Sequence, residues 1–299
     1  MYRLLGLLLF ALALLSPAKQ TKAGCIIGGG IFCVTSGFTA SCSQSSDFLA
    51  RATAITNDTD KTNYDTLICG LETDGIGCSN TLDLLYVLAA PDSATSLLNL
   101  CSASFALTTS GTITFAANEG YTSNGTTGYL DTNYTPSTNA VLSTLNSTIM
   151  GVYDRTNRTT NNNSVQFGGK GPAAHYSYMT ILDTTDRVET SVNSSNFPTF
   201  TTNTNAQGAV SSSRTGASAA GVYKNLTSIS LTIAGSANST GLPDGKLFIA
   251  ALNSNGSTLQ YTTDQLAAAW YGAGLTGANS VLLHTRINNF MTAYGKNVF

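Results

Sequence analysis

The sequence predicts a mainly β protein: an antiparallel β-sandwich, preceded by a small helical, cysteine-containing N-terminal region and closed by a C-terminal helix. Three observations carry this expectation. Charged residues make up only 10% of the 299, well under the roughly 25% of ordinary soluble domains, and Ser, Thr, Asn and Gly take their place. Beyond residue 101, short runs rich in Thr, Val, Ile, Tyr and Phe alternate with turn clusters at intervals of roughly ten residues, the spacing of many short strands. Hydrophobic residues reach 42%, enough to bury a substantial core, which excludes wholesale disorder.

The first segment, residues 1–24, reads as a secretory signal peptide. Arg3 supplies a positive start, Leu4 to Leu15 is an apolar run broken only by Gly6, and Ser16-Pro17-Ala18 offers small residues for cleavage. A dozen residues fall short of the roughly 20 that a spanning helix needs. No membrane association is therefore expected after cleavage, and the location is secreted, extracellular or periplasmic. Lys22 argues against a lipoprotein signal ending at Cys25, because such signals place an aliphatic residue there.

Residues 25–101 form a cysteine-containing region. All six cysteines, Cys25, Cys33, Cys42, Cys69, Cys78 and Cys101, lie within it, and an even number behind a leader suggests up to three disulfides in any of 15 pairings. Zinc-ligand spacing is missing, since no Cys-x-x-Cys occurs and the two histidines are far downstream. Gly28-Gly29-Gly30 lacks the Lys-Ser/Thr ending of a phosphate loop. Phe48, Leu49 and Ala52 stand at helical spacing, and Lys61 to Glu72 is a second helix with Tyr64, Leu67, Ile68 and Leu71 on one face. Leu82 to Leu88 reads as a buried strand or short helix, stopped by Pro91. Ser93 to Leu100 is a further short helix capped by Ser93.

Residues 102–299 hold the sandwich. Its expected strands are 112–116, 128–131, 147–154, 165–168, 176–182, 187–192, 209–214, 219–224, 227–233 and 246–252. Their turns, such as Ser123-Asn124-Gly125, are rich in residues that tolerate positive φ. From Thr263 the pattern turns to three- and four-residue apolar steps that define an amphipathic helix over about 279–294, with Gly295 as its stop and Trp270 packing it onto the sheet.

The segments Thr114-Phe115-Ala116-Ala117-Asn118-Glu119-Gly120-Tyr121, Gly125-Thr126-Thr127-Gly128-Tyr129-Leu130-Asp131-Thr132 and Leu247-Phe248-Ile249-Ala250-Ala251-Leu252-Asn253 resemble concanavalin A-like, laminin G-like sandwich modules of bacterial and phage or prophage proteins. The likeness spans about residues 47–299 and implies a jelly-roll sandwich. It says little of activity, because this sandwich carries lectins, glycosidases and structural modules alike.

Candidate chemistry is sparse. A net charge of -2 without a basic run excludes nucleic-acid binding. A glycosidase needs two carboxylates about the scissile bond. The densest acidic cluster, Asp183, Asp186 and Glu189, puts the latter two on opposite faces of any strand, and a solvated turn explains it as well. No Gly-x-Ser-x-Gly elbow accompanies His175 or His284; His284 falls within the terminal helix as a packed or surface side chain. Calcium, the one cofactor considered, is expected at Asp131 and Asn133, which are spaced as alternate oxygen ligands. Glycan stacking is assigned to Tyr121, Tyr129, Tyr134 and Tyr176, with His175 facing a ligand where a Gly-Pro loop meets a strand. The expectation is a secreted, non-enzymatic recognition or adhesion module for glycans or a cell surface. The alternative is a prophage-derived particle or tail component, and the third reading is an atypical glycoside hydrolase using Asp183 or Glu189.

Overall fold

A computed structural model describes residues 25–26, 32–33, 37–195, 199–226 and 238–299. The expected leader over 1–24 and the expected strand over 227–233 lie outside them. The first 38 residues and the remainder are two compact units. In the first, β1 (Cys25–Ile26) pairs antiparallel with β2 (Phe32–Cys33). The side chains of Cys25 and Cys33, and with them any bridge they make, lie outside the described set.

The second unit runs α1 (Ser43–Arg51), α2 (Asp58–Thr73), β3 (Leu82–Val87), α3 (Ser93–Ser96), β4 (Thr108–Ser110), β5 (Ile113–Ala116), β6 (Gly120–Ser123), β7 (Tyr129–Asp131), α4 (Pro136–Asn139) and β8 (Thr148–Asp154). It continues with β9 (Phe167–Lys170), β10 (Tyr176–Thr180), β11 (Arg187–Ser194), β12 (Thr199–Thr202), β13 (Gly208–Arg214), β14 (Ala220–Lys224), β15 (Phe248–Ile249), β16 (Leu252–Ser254), β17 (Ser257–Leu259), β18 (Gln265–Gly272) and α5 (Gly277–Ala293). Two sheets result. One has the order β12-β11-β10-β9-β15-β7-β4 with the β16–β17 hairpin attached at β9; the other has the order β14-β13-β8-β18-β6-β5 with β3 also on β18. Pairing is antiparallel except where β16 runs alongside β9. The mainly β sandwich with few helices, bridged N-terminal cysteines and a C-terminal helix is the expected class.

Two cores show why the layers stack. Leu84, Tyr86, Val152, Phe167, Met179, Val210, Ala269 and Tyr271 fill the space between the sheets. Leu85, Val87, Tyr153 and Trp270 point the other way, against Tyr64, Leu67, Leu283, Ile287 and Phe290 of α2 and α5. Side chains alternate across a strand, so β3 and β18 are buried on both faces and read as unbroken apolar runs. That is why the strand over 265–272 shows no two-residue period, and why the segment 82–88 reads equally as strand or helix. β3 comes from the cysteine-containing stretch, yet it pairs with β18 from Leu82↔Gly272 to Val87↔Ala268.

Two disulfides hold the helical region together. Cys42–Cys69 ties the start of α1 to α2, and Cys78–Cys101 ties the turn after α2 to the segment after α3. Asn57 caps α2 by accepting from the Asp60 N–H at 2.8 Å. α3 is capped by Asp92, not Ser93: its Oδ1 accepts from the Thr95 N–H at 2.8 Å. The expected strand 246–252 is broken because Ala250 sits at φ 68, outside the extended region, leaving β15 and β16 on either side. Gly295, at φ 66, ends α5 as expected. No described helix is long and apolar enough to cross a membrane.

Candidate functional site

Because Met179 of β10 packs between the sheets, its neighbour Tyr178 projects from the opposite face. There it joins Val165 and Leu252 in a small satellite cluster, with Tyr176 against it. On this outer face β9, β10 and β11 meet the β16–β17 hairpin around a cavity of about 360 Å³, lined by Lys170, Tyr176, Tyr178, Glu189, Leu252 and Gln260 among others. Its size is within the usual range for ligand pockets.

The register assembles the polar groups. Tyr178 lies opposite Ser191 and Thr180 opposite Glu189, so Tyr178 and Glu189 are diagonal neighbours on one face. The Tyr178 hydroxyl donates to Glu189 Oε1. Burial, and then the Glu189 charge, push the Tyr178 phenol far above its ordinary range, so it rests protonated. Gly168 of β9 stands opposite Tyr178. A Cβ on Gly168 falls 2.4 Å from Tyr178 Cβ, so only glycine leaves the tyrosine its place. Two residues further along β9, Lys170 donates from Nζ to Tyr176 Oη at 2.8 Å and lies 4.7 Å from the centre of that ring. The cavity thus holds a carboxylate–phenol pair beside an ammonium–phenol pair.

Of the residues expected from sequence to bind ligand, Tyr176 lines this cavity. His175 precedes it, with Nδ1 3.0 Å from Thr240 Oγ1. Tyr121 and Tyr134 are buried, the first with its hydroxyl 3.0 Å from Ser96 Oγ and the second donating to Asp83 Oδ2 at 3.1 Å. Tyr129 stacks on Phe248 at 4.4 Å between ring centres. At the expected metal ligands, the cation is an ammonium: Lys246 Nζ donates to Asp131 Oδ2 at 2.8 Å and to Asn133 Oδ1 at 3.0 Å. Among the described residues, the group with metal-ligand spacing is Cys42, Asp65 and Cys69, two of which are bonded to each other. Asp183 is held in its turn by Arg187 and Thr185. The sequence supplied Glu189 as an acid and Tyr178 as one aromatic among many. Their pairing depends on strand register, which local spacing does not reveal.

No family model and no curated protein matches the chain. Among solved structures, a Trypanosoma rangeli sialidase in complex with 2,3-difluoro-KDN is similar at TM-score 0.41 and 12% identity, over 73% of this chain and 33% of that one. The same organism's sialidase as a covalent intermediate with difluorosialic acid is similar at TM-score 0.38 and 10% identity, over 82% and 43%. A mutant NanB sialidase of Streptococcus pneumoniae is similar at TM-score 0.33 and 12% identity, over 47% and 24%. The chain therefore spans less than half the length of these enzymes. These neighbours are sialidases, matched over a minor part of their length. They bear the names of glycoside-cleaving enzymes, in contrast to the expected non-enzymatic module for recognition or adhesion and to the alternative particle component.

Proposed function

We propose that the protein is a glycoside hydrolase in which Tyr178 is the nucleophile and Glu189 its general base. The observation that supports this is the hydrogen bond from the Tyr178 phenol to the Glu189 carboxylate at the wall of a cavity large enough for a sugar. A tyrosine is a known alternative to the carboxylate nucleophile in retaining glycosidases, and a phenol that rests protonated needs a base in direct contact. As the Tyr178 oxygen bonds to the anomeric carbon, its proton passes to Glu189 and the bond from that carbon to the leaving oxygen breaks. The leaving oxygen takes a proton from the Tyr176 hydroxyl, which is restored by the Lys170 ammonium hydrogen-bonded to it. Water then attacks the anomeric carbon, passing a proton through Tyr176 back to Lys170, as the bond to Tyr178 breaks and Glu189 returns the proton to the Tyr178 oxygen. The two disulfides fit an extracellular or otherwise oxidising compartment, where polymeric glycans are met, and a cleaved leader over 1–24 is the route we propose to it.

A panel of methylumbelliferyl glycosides tests the reading. One or more is cleaved by the wild type, Tyr178→Phe loses essentially all of that rate, and Glu189→Gln loses about 10²–10⁴-fold. A fluorinated sugar of the cleaved class attaches to Tyr178, as seen by peptide mass spectrometry. A cleavage rate unchanged in both variants overturns the assignment.

A further inference from the structure

At the end of β8, a buried carboxyl oxygen lacks a donor. Asp154 and Asp264 are 0% and 1% exposed and Arg158 is 8% exposed. Asp264 is fully engaged. Its Oδ1 accepts from Arg158 Nε, and its Oδ2 accepts from Arg158 Nη2 and Gln166 Nε2, each at 2.8 Å. Asp154 is not: Oδ1 accepts from the Thr156 N–H at 2.8 Å, whereas the buried Oδ2 meets no donor. The group within its reach is the Asp264 carboxyl. The remaining charge that faces Asp154 is Lys224 of β14, whose ammonium donates instead to Asn203 Oδ1 and the Asn205 carbonyl. The guanidinium and the ammonium thus both spend their hydrogen bonds elsewhere than on Asp154 Oδ2, in a place closed to water where a carboxylate oxygen without a donor is costly.

We propose that Asp154 and Asp264 are a buried proton-binding pair: at neutral pH Asp154 is a carboxylic acid whose Oδ2–H donates to Asp264, the ionised partner of Arg158. One added proton satisfies the orphan oxygen. The electrostatics agree. Burial, then the Asp264 charge, push the Asp154 carboxyl well above the usual range. Burial works against the ionised form of Asp264 too, but the hydrogen bonds from Arg158 outweigh it and hold that carboxyl low. Since Asp154 is raised above its unfolded value, the stability it contributes is present at low pH and is lost as pH rises through the folded value. The loss reaches further than the pair, because Gln166, which donates to Asp264, also accepts from the Ile181 N–H just beyond β10.

The proposal is independent of the reaction assigned to the cavity, and its test needs no substrate. In the full-length protein with ¹³C-labelled aspartate, infrared difference spectra at pH 7 show a protonated-carboxyl stretch in the wild type. That stretch is missing in Asp154→Asn and vanishes from the wild type on raising the pH. The amide of Asp154→Asn donates the same hydrogen bond without a titrating proton. Folding of the variant takes up no proton, so its Tm at pH 7 lies above that of the wild type and falls less as pH rises. A wild type without the protonated stretch at pH 7 overturns the proposal, as does a stretch unchanged in Asp154→Asn. If that variant does not fold, the presence of the wild-type band at pH 7 decides by itself.

Discussion

Trp270, Ser211, His284 and Asn225 form one buried chain of hydrogen bonds whose directions fix a protonation state. The Trp270 indole N–H donates to Ser211 Oγ at 3.1 Å, the Ser211 hydroxyl lies 2.7 Å from His284 Nε2, and His284 Nδ1 donates to the Asn225 carbonyl at 2.8 Å. Every donor finds an acceptor only if the imidazole is neutral. Burial pushes His284 down to about 4, against a smaller upward pull from its bond to Asn225. Its folded value lies below the unfolded one of about 6.5. The stability it contributes is therefore complete above pH 6.5 and is lost as pH falls through 4. Urea unfolding at pH 7 and pH 4.5 is expected to show wild type losing about 2–3 kcal/mol more than His284→Asn, at about 1.4 kcal/mol per pH unit. Gly151 gives a second residue-scale expectation. A Cβ there falls 2.4 Å from the indole of Trp270, so Gly151→Ala is expected to cost about 1–3 kcal/mol through overpacking, measured by the same unfolding. Trp270 as the residue that packs the terminal helix was legible in the sequence, because a lone tryptophan beside an amphipathic stretch has few other roles. The Tyr178–Glu189 pair was not, since diagonal contact depends on which strands become neighbours and in what register.

At the scale of elements, legibility follows burial. β8, β13 and β14 were readable as strands, and α2 and α5 were readable from their three- and four-residue apolar spacing. β18 carries Ala267, Ala268 and Ala269, residues that favour helix by local preference. Tertiary contact overrides that preference, because β8 binds one edge of the strand while β6 and β3 share the other. The short strands β4 and β17 were missed for a different reason: each is a mostly exposed run of three residues without an apolar pattern. The disulfides belong to this scale as well. Cys78 and Cys101 close a loop of sequence separation 23, and the double replacement C78S/C101S is expected to lower the unfolding free energy by about 3 kcal/mol. An unchanged urea midpoint in that variant contradicts this expectation.

For the whole molecule, the seven-stranded sheet is the middle layer of three, with α2 and α5 on one face and the nine-stranded sheet on the other. The cavity lies on the far side of that second sheet, which leaves Tyr178 and Glu189 separated from the helical layer by two thicknesses of β structure. Composition foretold the stacking, because scarce charge and abundant small polar residues suit short strands and tight turns. It did not foretell which strand is central. The pairing of β3 with β18 joins positions separated by most of the chain's length, and such distant partners slow folding. A polypeptide emerging amino end first must therefore carry the edge of Leu82–Val87 unpaired until Gln265–Gly272 has appeared. Truncation just short of Gln265 is expected to leave an insoluble product, not a smaller native one.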